Sequence, residues 1–236
     1  MISLCCPSRG RPELAQRLVN SATEHAKYDT EFLFYLNDDD PKLEEYKDVL
    51  DEKHYTVGPN QSTGYSWNQM ANKASNDIVM LVGDDVAVQT QDWDDKIKDQ
   101  YDKFEDKILM VIPSDGRAKG NKNHGDKVTL WPDKSLPSGH FALHKNWMKA
   151  LGYYFPPFFW HFYLDQYTQE VARKVNRCLF LPTVTFKAKK IFDDTHDQVK
   201  DNLSISARDQ WIWSKVNRRH LQADVQALKG IIDQPL

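Results

Sequence analysis

The stretch that most constrains this chain is Asn76-Asp77-Ile78-Val79-Met80-Leu81-Val82-Gly83-Asp84-Asp85-Val86. An unbroken apolar run bounded by polar residues predicts a strand buried on both faces, as in a parallel sheet covered by helices. The run stops abruptly at two adjacent carboxylates, Asp84 and Asp85. Ligands of open α/β sheets bind beyond the carboxyl ends of the strands. Two acids there suit a hard divalent cation and the phosphates it carries. A strand followed by a solvated Asp-Asp turn accounts for the same residues more blandly.

The segments before this strand repeat one pattern. Residues 2–6 read as a strand, 7–12 as a turn, and Leu14, Leu18, Ala22 and His25 as one face of a helix starting near Glu13. Residues 31–36 read as a second strand ending in Asn37-Asp38-Asp39-Asp40-Pro41. A short charged helix then reaches Leu50, and residues 55–57 form a third strand. After a loop over 58–64, Trp67, Met70, Ala71 and Ala74 recur at helical spacing. Strand–helix alternation of this kind predicts a mainly parallel, doubly wound sheet.

Beyond the acidic pair, Trp93, Ile97, Tyr101 and Phe104 mark another helix and residues 108–112 another strand. Residues 114–127 are rich in Gly, Asn, Lys and Asp without a period, and read as a loop. Residues 139–143 read as a strand and 144–151 as a short helix. An aromatic run from Tyr153 to Tyr163 follows, then a helix over 164–175 and a strand over 178–184. Residues 186–201 read as polar loop, and one last helix runs from about Ser206 to Ile232. No linker divides the chain. Residues 1–112 read as a nucleotide-type half and 113–236 as a substrate-type half of one compact unit.

Composition excludes several classes. At 236 residues the chain can bury a sizeable core. Cys5, Cys6 and Cys178 are too few for a disulfide framework, and adjacent Cys5 and Cys6 would point to opposite faces of a strand. Free buried thiols in a reducing cytoplasm are the expectation. No run is long enough to span a membrane, and Met1-Ile2-Ser3-Leu4 enters structure without a signal peptide. The net charge of -3 gives no general case for nucleic acid, although a local basic face is compatible with it.

Taken in order, these motifs resemble a GT-A fold glycosyltransferase, with a single Rossmann-like α/β domain. The matching positions are Pro7-Ser8-Arg9, Asn37-Asp38-Asp39, the helix around Trp67 to Ala74, Gly83-Asp84-Asp85, the segment 139–152, Asp165 and His196. The chain also resembles small phage-encoded members. The resemblance implies that Pro7, Ser8, Arg9, Arg11, Asn37, Asp38 and Asp39 hold the nucleotide of a nucleotide-diphosphate sugar, with a UDP-sugar as the expected donor. A turn with a helix cap accounts for residues 37–41 equally.

The family's usual acidic motif is Asp-x-Asp, and here Gly83 stands at its first position. Asp85 is then the expected ligand for Mn²⁺ or Mg²⁺, Asp84 a ribose or supporting contact, and His196 the second metal ligand. Asp165 is the expected base that takes the acceptor proton, which implies inversion. A helix cap is its alternative role.

The implied activity is sugar transfer to an acceptor hydroxyl, either a hydroxymethylated pyrimidine in phage DNA or a glycan. For DNA, Trp160 or Tyr163 could stack on a flipped base. Lys187, Lys189 and Lys190, Arg117, Lys119 and Lys122, and Arg218 with Arg219 could form a basic stripe. The alternatives are a nucleotidyltransferase and a non-catalytic nucleotide-sugar-binding module. Against the former, no Gly-rich, Lys-containing phosphate loop follows the first strand.

Overall fold

The computed structural model describes residues 1–116, 129–130, 139–189, 203–215 and 217–233. The first part is the expected alternation: β1 (Ile2–Ser8), α1 (Pro12–His25), β2 (Glu31–Asn37), α2 (Leu43–Val49), β3 (Tyr55–Gly58), α3 (Thr63–Lys73) and β4 (Ile78–Leu81). It continues with β5 (Val86–Val88), α4 (Trp93–Tyr101), β6 (Met110–Ser114), β7 (Thr129–Leu130), β8 (Phe141–His144), α5 (Lys145–Leu151), α6 (Leu164–Lys174), β9 (Cys178–Ala188), α7 (Leu203–Lys215) and α8 (Asn217–Ile232).

Among the described residues, the strands form one nine-stranded sheet in the order β3-β2-β1-β4-β8-β6-β9-β5, with β7 on β9. β1 runs parallel to both β2 and β4, and β2 parallel to β3, so the carboxyl ends of these strands share one edge of the sheet. β8 lies antiparallel between β4 and β6, while β6 and β9 are parallel again.

The central strand is buried on both faces, as its composition requires. Val79 and Leu81 pack into a cluster with Phe141, Trp147, Phe155 and Tyr167. Ile78, Met80 and Val82 pack on the other face with Leu18, Trp93 and Ile97. Cys5 and Cys6 divide between the same two clusters, and with Cys178 they are free, buried thiols. Burial pushes the Cys178 thiol up to about 12, so it is unreactive at neutral pH.

Local signals set the helix ends. Pro12 opens α1, where its missing N–H costs nothing. The Ser62 side chain accepts from the Tyr65 N–H at the start of α3. Gly152, with φ of 82°, closes α5 in the left-handed conformation that glycine takes without strain.

One expectation is corrected. Residues 186–188 are not loop: they extend β9 and pair with β5, and Phe186 is buried edge-on against Trp93 with ring centres 5.2 Å apart. The terminal segment is helical over Leu203–Lys215 and over Asn217–Ile232. Ile212, Leu221, Val225 and Leu228 all enter the same core. The chain over 117–128, within the expected loop, lies outside the described residues.

Candidate functional site

The carboxyl ends of β1, β2 and β4 gather most of the expected residues. The Ser8 hydroxyl donates to Asp84 Oδ2 at 2.7 Å and lies 2.6 Å from the Tyr46 hydroxyl. Arg11 Nη1 reaches Asp84 Oδ1 at 3.1 Å. Asp84 is only 5% exposed. Burial pushes its carboxyl above the usual range, while the Ser8 hydrogen bond and the Arg11 guanidinium pull it back. Asp84 therefore fastens the turn after β1 to the end of β4.

The second acidic segment divides its work. Arg9 pairs with Asp39 and holds that carboxyl below the usual range. Asp40 is buried and accepts from the Gly10 N–H at 2.8 Å and the Lys42 N–H at 2.9 Å. Asp40 thus fixes the turn ahead of α2, whose N-cap is Lys42 with no side-chain cap, so the helix-cap role read for this segment is not what its acids do. Asn37 pairs with Gly58 in register, Asp38 is exposed, and Pro7 pairs with Tyr35. Arg9 and Arg11 are already engaged by two of the acids expected beside them.

Gly83 explains the missing first acid. A Cβ there would lie 2.9 Å from Asp85 Oδ1 and 3.7 Å from His140 Cε1. The Asp85 carboxylate occupies the space a side chain at 83 would need. The Gly83 N–H points at His140 Nδ1, 3.4 Å away, and the Lys189 N–H donates to the Asp85 carbonyl at 2.8 Å. His140 was not expected here, because residues 139–143 read simply as an apolar strand.

Among the described residues no three His, Cys, Asp or Glu side chains form a metal-holding group. Asp85 and His140 bring one carboxylate and one imidazole close to Gly83. Such a pair fits a divalent cation that completes its shell with diphosphate oxygens and water. His196, the other expected ligand, lies outside the described residues.

Asp165 sits in the first turn of α6, behind Tyr163, whose φ of 67° turns the chain into the helix. Tyr163 is the N-cap, so the helix does not depend on Asp165 for that role. Asp165 Oδ1 accepts from the Gln166 N–H at 2.9 Å. The carboxylate is half-buried, and burial pushes its pKa above the usual range. A cleft of about 500 Å³ brings Asp165 together with Gly83, His140, Thr63, His161 and Ser206. The residues at the ends of β1 and β2 do not line this cleft.

A residue that sequence reasoning missed organises the cleft wall. Asp209 on α7 is fully buried, and its carboxylate accepts the N–H groups of Trp160, His161 and Phe162 at 2.8–3.1 Å. Arg208 Nη1 adds a fourth contact at 2.9 Å. The segment so held places the His161 ring against Thr63, with Nδ1 2.7 Å from Oγ1. The one signal in sequence is a carboxylate one helical turn before buried Ile212, on the face that should be apolar.

No protein-family model matches this chain, and no curated protein matches its sequence. Solved structures do match. Residues 1–349 of S. aureus TarS in complex with UDP-GlcNAc align with a TM-score of 0.62 at 15% identity, covering 98% of this chain and 80% of that one. The same TarS segment with UDP gives 0.59 at 16% identity, covering 92% and 71%. The mannosyltransferase PcManGT from Pyrobaculum calidifontis, in complex with GDP-Man and Mn²⁺, gives 0.60 at 12% identity, covering 100% and 76%. The fold is therefore the GT-A glycosyltransferase fold expected from the motifs.

Proposed function

We propose that the chain is a glycosyltransferase that moves a sugar from a nucleotide-diphosphate donor, UDP-linked, to an acceptor hydroxyl. One observation carries the reading. The end of β4, at Gly83, and the start of α6, at Asp165, meet in one cleft of about 500 Å³. Strand ends of this fold are where ligands bind, and the similar structures hold UDP, UDP-GlcNAc and GDP-Man.

In this reading the Asp165 carboxylate accepts the proton of the acceptor hydroxyl. The freed oxygen attacks the anomeric carbon from the face opposite the nucleotide. The bond from that carbon to the diphosphate oxygen breaks, and its electron pair leaves with the nucleotide diphosphate. The anomeric centre is inverted. Burial of Asp165 raises its basicity toward working pH, as general-base catalysis requires. Asp85 and His140 would hold a Mn²⁺ or Mg²⁺, which when bound offsets charge on the leaving diphosphate. Ser8, Arg9, Arg11, Asn37, Asp38 and Asp39, with Pro7 shaping the turn, supply the nucleotide side, and Asp84 keeps that side in register with β4.

We read residues 1–112 as the nucleotide half and 113–236 as the acceptor half of one domain. Among the described residues no helix is long and apolar enough to cross a membrane, and the free thiols suit a reducing cytoplasm. Phage DNA carrying hydroxymethylated pyrimidine is one acceptor class. Of the cations read for it, Lys187 and Lys189 are exposed, whereas Arg117, Lys119, Lys122 and Lys190 lie outside the described residues. A glycan is the other class.

A panel of nucleotide sugars, with and without Mn²⁺, tests the proposal. Release of nucleoside diphosphate and sugar supports it. Pyrophosphate release from a nucleoside triphosphate would make the protein a nucleotidyltransferase, and binding without turnover would make it a binding module.

A further inference from the structure

A second cleft, of about 470 Å³, lies on the other side of the wall that bounds the Asp165 cleft. Its lining includes Gln61, Tyr65, Asn72, Trp160 and Arg208. The two clefts share neighbouring residues. Ser62 and Trp160 face the second, while Thr63 and His161 face the first. The wall is sealed by the Thr63 N–H donating to the Trp160 carbonyl at 2.8 Å and by the Thr63–His161 contact.

The aromatic rings here differ from the rest of the aromatic run. Tyr154, Phe155 and Phe159 are buried, but Trp160 is 38% exposed and Tyr65 41%. Trp160 is not loose. Its N–H is held by both oxygens of buried Asp209, so an exposed indole stands on a fixed backbone. Exposed amides of Gln61 and Asn72 and the half-exposed guanidinium of Arg208 complete the lining. Rigid aromatic faces beside amide and guanidinium groups match a sugar ring, which offers apolar C–H faces and a rim of hydroxyls.

We propose that this second cleft binds a saccharide, with Trp160 and Tyr65 as the stacking faces, and so anchors an oligosaccharide acceptor beside the Asp165 cleft. The role as acceptor site rests on the transferase reading above; saccharide binding itself does not. The charge distribution favours a glycan over DNA. Arg208 is the one cation among the described lining residues, and Asp209 already offsets it at 2.9 Å. A row of backbone phosphates would find too little positive charge there.

The test probes the full chain on an array of neutral and acidic oligosaccharides. The strongest binder is then titrated against wild type, Trp160→Ala and Tyr65→Ala, with UDP titrated into the same samples. Each substitution should weaken saccharide binding about tenfold or more, as loss of a stacking face does. No saccharide binding by wild type, or binding that survives both substitutions unchanged, overturns the inference. So does a hydroxymethylated DNA duplex that binds in a Trp160-dependent way where no saccharide does. UDP binding with no saccharide binding sinks this inference alone. Loss of UDP binding in wild type sinks the donor-site reading instead.

Discussion

The Ser8 hydroxyl and a carboxylate oxygen of Asp84 are 2.7 Å apart, joining the ends of two parallel strands across 76 positions of sequence. That contact lets a buried acid stand where β1 and β4 both end. It also turns the first acid of the pair into a brace, leaving Asp85 as the acid beside Gly83. Ser8→Ala should lower stability by about 1–3 kcal/mol, the cost of leaving a buried polar group short of a partner.

The pH dependence of that loss has a definite sign. Burial raises the Asp84 pKa in the folded chain above its unfolded value of 3.8, and Ser8 opposes the rise. A raised carboxyl favours the folded state while protonated, and this advantage is lost as pH rises through the folded pKa. Removing Ser8 raises that pKa further. Urea unfolding should therefore show wild type and Ser8→Ala diverging from acid toward neutral pH. Curves that stay parallel would mean the hydroxyl does not hold the ionised form.

Gly83 is a second point of constraint. Gly83→Asp restores the family's usual first acid but puts a Cβ 2.9 Å from Asp85 Oδ1. The variant should fold, since the Asp85 carboxylate can swing aside, yet show weaker Mn²⁺-dependent donor binding. Asp85→Ala should remove the Mn²⁺-dependent part, and His140→Ala should reduce it less. Titrations of UDP with and without Mn²⁺ read all three variants. Donor binding that ignores Mn²⁺ in wild type would contradict the assignment.

Asp209 predicts a structural effect with a local signature. Asn offers one acceptor oxygen and an N–H₂ where the carboxylate accepts from four donor groups. Asp209→Asn should lower stability by about 1–3 kcal/mol for each N–H left unpaired. Hydrogen exchange should speed up first at the amides of Trp160, His161 and Phe162. Protection unchanged at those amides would mean the buried carboxylate is not their anchor.

Much of this was legible in the residues. Ile78 to Leu81 announced themselves because four apolar residues in a row leave a strand no solvent face. Leu14, Leu18 and Ala22 gave α1 its buried stripe. The tail of β9 was hidden because Pro182 and Thr183 interrupt the apolar pattern and Lys187 is exposed; only the partner strand β5 makes it a strand. Asp209 was hidden for a different reason. Its partners are backbone N–H groups, which no side-chain pattern marks, and they lie nearly fifty positions away. His140 was concealed inside a strand motif, and its place beside Gly83 depends on β8 pairing antiparallel with β4.

Asp165 carries the acid limb of the proposed reaction. The base works ionised, and burial lifts its pKa above 3.8. Turnover should rise with pH through that raised value, with the limb displaced upward from the usual carboxylate range. A pH profile of kcat checks it. A limb at or below 3.8 would place the essential base elsewhere.

The central claim is that sugar transfer happens where the end of β4 faces the start of α6. The direct test is donor turnover by Asp165→Asn measured beside UDP affinity. The amide oxygen of Asn can still accept the Gln166 N–H, and Tyr163 remains the N-cap, so fold and nucleotide binding should persist. The account predicts wild-type UDP affinity with turnover lowered by roughly 10²–10⁴-fold. Turnover equal to wild type in a well-folded variant would contradict it.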